Sequence, residues 1–232
     1  MISELLVEFA CPSPQWRGKP FWAWNGLLNQ DELIRQIHVM RDMGFGGFFM
    51  HSRTGLQTPY LGDDWFALTN ACADEAETLG LEAWLYDEDR WPSGTAGGFV
   101  TRDPAYRRRF IRLDAIPAAQ FGWNQASAAV ALFACDLNGS DCSNCRSIGA
   151  DSALRADETV LVFTIEEMEP SSFYNGYTYA DTMNPCATQR FIELTHEQYA
   201  LHCGKRLGSS IKGIFTDEPH RGPVMDGFSL PN

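Results

Sequence analysis

Short apolar runs alternate with amphipathic stretches along the first third of this chain, and that rhythm limits the folds open to it. Phe21-Trp22-Ala23-Trp24-Asn25, Gly46-Gly47-Phe48-Phe49-Met50-His51 and Leu81-Glu82-Ala83-Trp84-Leu85-Tyr86 each read as a short strand. Between the first two, Gln30 to Met43 carries Leu33, Ile34, Ile37, Met40 and Met43 at the spacing of one helix face. Asn29 stands where an N-cap belongs and Gly44 where the helix should stop. A loop, Thr54 to Gly62, follows the second strand; Asp63 or Asp64 then opens a second helix that Gly80 ends. Strands joined by helices at this pace make βα units and a parallel sheet. Their apolar character on both faces agrees, because parallel strands are covered on both sides.

The rhythm breaks after the third strand. From Arg112 to about Tyr179 the pattern is shorter and more alternating, with Ala128 to Cys135 and Thr159 to Ile165 as strand-like pieces around a polar, turn-rich stretch. A small β insertion is predicted there. Asn184-Pro185 then starts a long amphipathic helix carrying Phe191, Leu194, Tyr199, Leu201 and Leu207; Gly208 ends it, and Ile211 to Thr216 is a fourth parallel strand. The expected architecture is therefore an α/β fold of the (β/α)8 TIM-barrel type, with only the first four βα units present. Residues 1–109 would hold the first three units, 110–180 the β-rich insertion, and 181–232 the last helix and strand with its loop. Full barrels of this type take about 250 residues, so the N-terminal part of a larger enzyme is expected, or a truncated product, or a chain that completes its sheet by self-association through open edges.

Composition narrows the partners. The formal net charge is -12, the wrong sign for a protein that tracks a phosphate backbone. The one basic cluster, Arg107-Arg108-Arg109, follows Asp103-Pro104 and reads as the solvated face of a helix end. No apolar run is long enough for a membrane span, and no signal peptide is visible at Met1-Ile2-Ser3-Glu4, so no membrane partner and a cytoplasmic location are expected. Seven scattered cysteines fit a reducing compartment better than a disulfide framework. Cys142-Ser143-Asn144-Cys145, an isolated pair in what reads as a polar turn, is a weak metal signal.

In a barrel of this kind the C-terminal ends of the strands face the active site. The first strand would present Trp22, Trp24 and Asn25, and the second His51, Ser52 and Arg53. The third would present Asp87, Glu88, Asp89 and Trp91, and the fourth Asp217, Glu218 and His220. Acids, hydrogen-bonding groups and stacking rings on one mouth suit glycoside hydrolysis, which needs two carboxyl groups flanking the scissile bond. Adjacent residues at a strand end point apart, so Asp217 and Glu218 are not the expected pair. One of them should face the site, with Glu88 or Asp87 as its partner. Trp22, Trp24 and Trp91 would stack on sugar rings, and Asn25, His51, Arg53, Asp87 and Asp89 would hold substrate oxygens. No cofactor is certain. A calcium ion among Asp87-Glu88-Asp89 is an alternative to a solvated acidic loop, although the spacing fits no standard calcium loop. Gly94-Thr95-Ala96-Gly97-Gly98 lacks the ending of a phosphate loop and reads as a tight turn.

Together, Pro20-Phe21-Trp22-Ala23-Trp24-Asn25-Gly26, Glu32-Leu33-Ile34-Arg35-Gln36-Ile37, Gly46-Gly47-Phe48 and the segment from Trp84 through Tyr86-Asp87-Glu88-Asp89-Arg90-Trp91-Pro92-Ser93-Gly94 to Gly98 resemble bacterial α-L-rhamnosidase-like glycoside hydrolases. The resemblance covers the chain except about residues 110–170. Thr216-Asp217-Glu218-Pro219 is also similar to the Asn-Glu-Pro that ends the fourth strand in a large clan of barrel glycosidases, with Asp217 in place of the Asn. The resemblance implies that Glu218 is the acid/base, that the nucleophile lies on a later strand, and that calcium is used. The resulting expectation is a carbohydrate hydrolase acting on a glycoside or oligosaccharide. The alternative is a non-catalytic sugar-binding or assembly fragment.

Overall fold

The computed structural model describes residues 2–219 and 230–231, so the expected role of His220 lies outside the described residues. The chain is mixed α/β, with two separate sheets assigned to two compact units. The first unit comprises residues up to Tyr106 and from Ser171 to His220; the second comprises Arg107–Pro170 and the C-terminal segment.

The first unit is built on four parallel strands: β1 (Phe21–Gly26), β2 (Gly47–Leu56), β3 (Glu82–Tyr86) and β8 (Ile211–Phe215), in the order β1-β2-β3-β8. Register places Phe21 beside Phe49, Phe49 beside Trp84, and Tyr86 beside Phe215. Helices α2 (Gln30–Asp42), α3 (Asp63–Thr78), α4 (Pro185–Leu194) and α5 (His196–Cys203) belong to this unit, as does the short N-terminal α1 (Ile2–Ala10). Asn29 does cap α2: its side chain accepts from the Glu32 N–H at 3.0 Å. At α3 the capping position is Gly62, with no side-chain cap, and Asp63 and Asp64 fall in the first turn, where carboxylates suit the helix dipole. The single long helix expected from Asn184 is two, broken at Thr195, whose hydroxyl donates to the Phe191 carbonyl at 2.7 Å. β2 also runs five residues past the expected His51, into the stretch read as a loop.

One face of the sheet packs into the main core, where Trp22, Trp24, Phe48, Met50 and Leu85 meet Ile37, Trp65 and Tyr199 from the helices. The opposite face carries Phe21, Phe49, Trp84 and Phe215, whose rings touch one another in series. Phe21 remains 53% exposed. The four strands form an open sheet, with β1 and β8 at its edges; no closed barrel exists among the described residues. The four expected parallel strands are present in a mixed α/β fold, and an open sheet does not show the TIM-barrel type.

The second unit is an antiparallel sheet in the order β6-β5-β7-β4-β9, from β4 (Arg109–Pro117), β5 (Ala129–Asn138), β6 (Asp141–Ser147), β7 (Thr159–Glu167) and the two-residue β9 (Leu230–Pro231). Ala134, Ile148, Val160 and Val162 form its core. Two readings change here. Cys142 and Cys145 lie on strand β6 and not in a turn. The arginine cluster is no helix face: Arg109 begins β4, Arg108 is buried, and the Arg107 guanidinium pairs with Glu167 at 2.9 Å. Among the described residues no helix is long and apolar enough to cross a membrane.

Candidate functional site

The segment after β3 decides what the acids can do. Asp87, Glu88 and Asp89 are all buried. Three adjacent carboxylates out of water would be untenable without partners, and each has its own set. Asp87 accepts from the Ser93 hydroxyl at 2.5 Å and the Thr216 hydroxyl at 2.6 Å, with the His196 ring 3.7 Å away. Burial pushes its carboxyl above the ordinary value, against the pull of the Ser93 and Thr216 hydroxyls. Asp89 accepts from the Ser52 hydroxyl at 2.6 Å and from the Asn175 amide at 2.8 Å, tying the middle of β2 to a distant turn.

Glu88 is held differently. The backbone N–H groups of Gly94, Thr95, Ala96 and Gly97 all point at its carboxylate, joined by the Asp89 N–H and the Thr95 hydroxyl. Ala96 and Gly97 have φ of 50° and 67°, so successive N–H groups turn inward and form an anion nest. At Gly98, φ is 90° and a Cβ would come within 2.7 Å of the Tyr177 ring, so glycine is required. The glycine-rich turn thus wraps the protein's own carboxylate. Burial drives Glu88 up to about 7, against those donors.

These partners bear on the expected roles. The acidic run is neither a solvated loop nor an open cation cage: among the described residues no cluster of His, Cys, Asp and Glu could hold a metal. The Glu88 carboxylate, expected as a partner for Glu218, is enclosed by these donors and ties down the turn that follows β3.

The fourth strand end differs. Asp217 is partly exposed and accepts from the Tyr86 hydroxyl at 2.8 Å. Its backbone is hooked to the β3 loop: the Asp217 N–H donates to Ser93 Oγ, and the Ser93 N–H donates to the Asp217 carbonyl, both at 2.9 Å. Glu218 is exposed and accepts from the Trp91 indole N–H at 3.0 Å. Its φ is 44°, in the left-handed region that non-glycine residues rarely occupy. Phe173 packs edge-on against Trp91. The two acids thus bond to different partners, as expected for neighbours at a strand end.

Beside them, His51 stacks on the Tyr86 ring with centroids 3.6 Å apart, and its Nδ1 lies 2.5 Å from the Ser52 carbonyl. Burial lowers its pKa. The structure therefore brings His51, Tyr86, Asp217, Glu218 and Trp91 to the C-terminal end of the parallel sheet. Asn25, near the end of β1, and Arg53, within β2, are exposed. Trp22 and Trp24, expected to stack on sugar rings, point to the helix side, where Trp22 donates to Gln36 at 2.6 Å and Trp24 packs on Trp65. Buried at 9% and 1% exposure, they offer no face to a sugar.

Reading the sequence missed Tyr86, Ser93, Thr216, Asn175 and His196. Tyr86 was visible as the last residue of an apolar run; nothing local marked the others. His196 also lines, with Phe191, Thr216 and Pro219, a largely apolar cavity of about 370 Å³.

No protein-family model matches the chain, and no curated protein does. Among solved structures, the rhamnosidase from Novosphingobium sp. PP1Y is similar at 22% identity and a TM-score of 0.41. The match covers 59% of this chain and 16% of that rhamnosidase.

Proposed function

We propose that this chain carries part of the active site of a glycoside hydrolase of the α-L-rhamnosidase-like kind, with Glu218 as the acid/base. The observation that carries this reading is the state of Glu218: a water-accessible carboxylate at the C-terminal end of a parallel strand, in a left-handed backbone conformation and hydrogen-bonded by an indole. Strained non-glycine residues concentrate at functional sites. The Trp91 N–H fixes one side of the carboxylate, and solvent on the other side leaves room for a glycosidic oxygen. The motifs around Tyr86–Gly94 and Thr216–Pro219 support the same assignment.

In this reading Asp217 positions Tyr86 and, through it, the stacked His51 ring. Trp91 offers a partly exposed ring to a sugar, and Arg53 and Asn25 are placed to bind its hydroxyls. Asp87, Glu88 and Asp89 fix the loop that carries Trp91. A second carboxylate would come from outside this set. Whole-molecule activity and self-association through the open sheet belong to the proposal.

Aryl glycosides, beginning with aryl α-L-rhamnosides, test it. Glu218→Gln should lower kcat by about 10²–10⁴-fold, the range for loss of a general acid. An aryl leaving group of low pKa should suffer least, because it needs little protonation. Full activity of Glu218→Gln on a poor leaving group would remove Glu218 from this role. Saturable sugar binding without turnover by the unaltered protein would favour the non-catalytic alternative.

A further inference from the structure

The second unit holds a cluster that the proposed hydrolase chemistry does not use. On strands β5 and β6 the antiparallel register shifts by one: Ala134 pairs with Arg146, but Asp136 pairs with Ser143. Asn144 and Cys145 therefore both oppose Cys135, the mark of a β-bulge, and Asn144 takes a left-handed φ of 51°.

The bulge decides which face each cysteine occupies. Cys145 is opposite Cys135 in one register, and Cys142 is opposite Leu137 in the other. Residues 135 and 137 share a face because side chains alternate along a strand. All three cysteines consequently lie on one face of the hairpin. Without the extra residue, Cys142 and Cys145 would point to opposite faces. Cys142 is influenced by both the Cys135 and the Cys145 thiol, which places it between them, and the Cys135 thiol raises its pKa above the ordinary value. Cys142 and Cys145 are exposed, Cys135 is buried, and all three are reduced.

We propose that Cys135, Cys142 and Cys145 form a dithiol–disulfide exchange site, with Cys142 as its hub and a low-molecular-weight disulfide of the glutathione type as oxidant. Cys142 gives its proton to solvent, and its thiolate attacks one sulfur of the glutathione disulfide. The S–S bond breaks and one glutathione thiolate leaves and takes up a proton. A neighbouring thiol, Cys135 or Cys145, then loses its proton and attacks the Cys142 sulfur of the mixed disulfide, expelling the second glutathione. Two protein thiols are oxidised to one internal disulfide, and one glutathione disulfide is reduced to two glutathiones. The third cysteine stays a thiol beside the new bond. A Cys135–Cys142 bond would fasten β6, an edge strand whose side chains are almost all exposed, to β5.

Incubation of the whole chain with oxidised and reduced glutathione at fixed ratios, followed by acid quench and mass spectrometry, reads this directly. The expected product has lost two hydrogen masses, and peptide mapping places Cys142 in the bond. Cys142→Ser should abolish the internal disulfide and leave only glutathione adducts. Cys145→Ser and Cys135→Ala should each retain it, through the remaining neighbour. Cys142 lies on an exposed edge strand, and circular dichroism checks that each variant is folded. Only mixed adducts on the unaltered chain, or an internal disulfide formed equally by Cys142→Ser, would overturn the proposal.

Discussion

Glu88 shows how much of a residue's environment its type leaves open. A glutamate after a barrel-type strand looks catalytic, yet its carboxylate faces only donors from residues 89 and 94–97. Glu88→Gln should destabilise the protein by about 3 kcal/mol, because an amide NH₂ would confront backbone N–H groups and strand at least one. Thermal denaturation at pH 7 measures this. The folded pKa of about 7 lies above the unfolded value of 4.5. The protonated group therefore favours the fold fully below pH 4.5, and that contribution fades as pH rises through about 7. The same slope should be missing from the Glu88→Gln profile. The sequence could not disclose this enclosure, because the donors lie six to nine residues downstream in a turn whose left-handed residues create the nest. Trp22 and Trp24 mislead for a related reason. In a strand apolar on both faces, the pattern does not say which face the helices cover.

At the level of elements, legibility followed the source of each element's stability. Helix α2 is self-announcing: a cap at Asn29, one apolar face and a stop at Gly44. Asn29→Ala should cost about 1 kcal/mol, read as a lower midpoint in urea with an unchanged slope. Strand β6 is the opposite case. Asp-Cys-Ser-Asn-Cys-Arg-Ser has no apolar alternation, and its extended form comes from pairing with β5. The break at Thr195 was hidden too, since the apolar spacing runs on through it while the backbone does not. The β8 run showed where a strand ends. It could not show that Asp217 and Ser93 would lock its end to the β3 loop, because that pairing spans the whole insertion.

On the scale of the molecule, the open sheet stands out. Parallel sheets ordinarily have both faces covered, and here Phe21, Phe49, Trp84 and Phe215 line a face with Phe21 more than half exposed. Phe21→Asp should reduce concentration-dependent self-association in sedimentation velocity while leaving the far-ultraviolet circular dichroism unchanged. An unaltered sedimentation profile would remove this face from the association interface. The parallel layering was readable from the βα rhythm. The openness of its two edges was not, because the rhythm tells which strands follow one another and not whether the outer ones meet.

Residues 107–170 of the antiparallel unit interrupt the segment between β3 and β8, yet the two ends of that stretch are neighbours. Arg109 is paired with Glu167 at the outer rung of β4 and β7, and the Met168 N–H reaches the Arg108 carbonyl at 2.8 Å. A sequence that leaves and returns at one spot is detachable in principle. A gene encoding Tyr106 joined to Ser171 through a few glycines should yield a polypeptide with the helical signature of the parallel unit and a cooperative melt. The interruption would then be a graft, free to be exchanged or lost without rewriting the scaffold that accepts it.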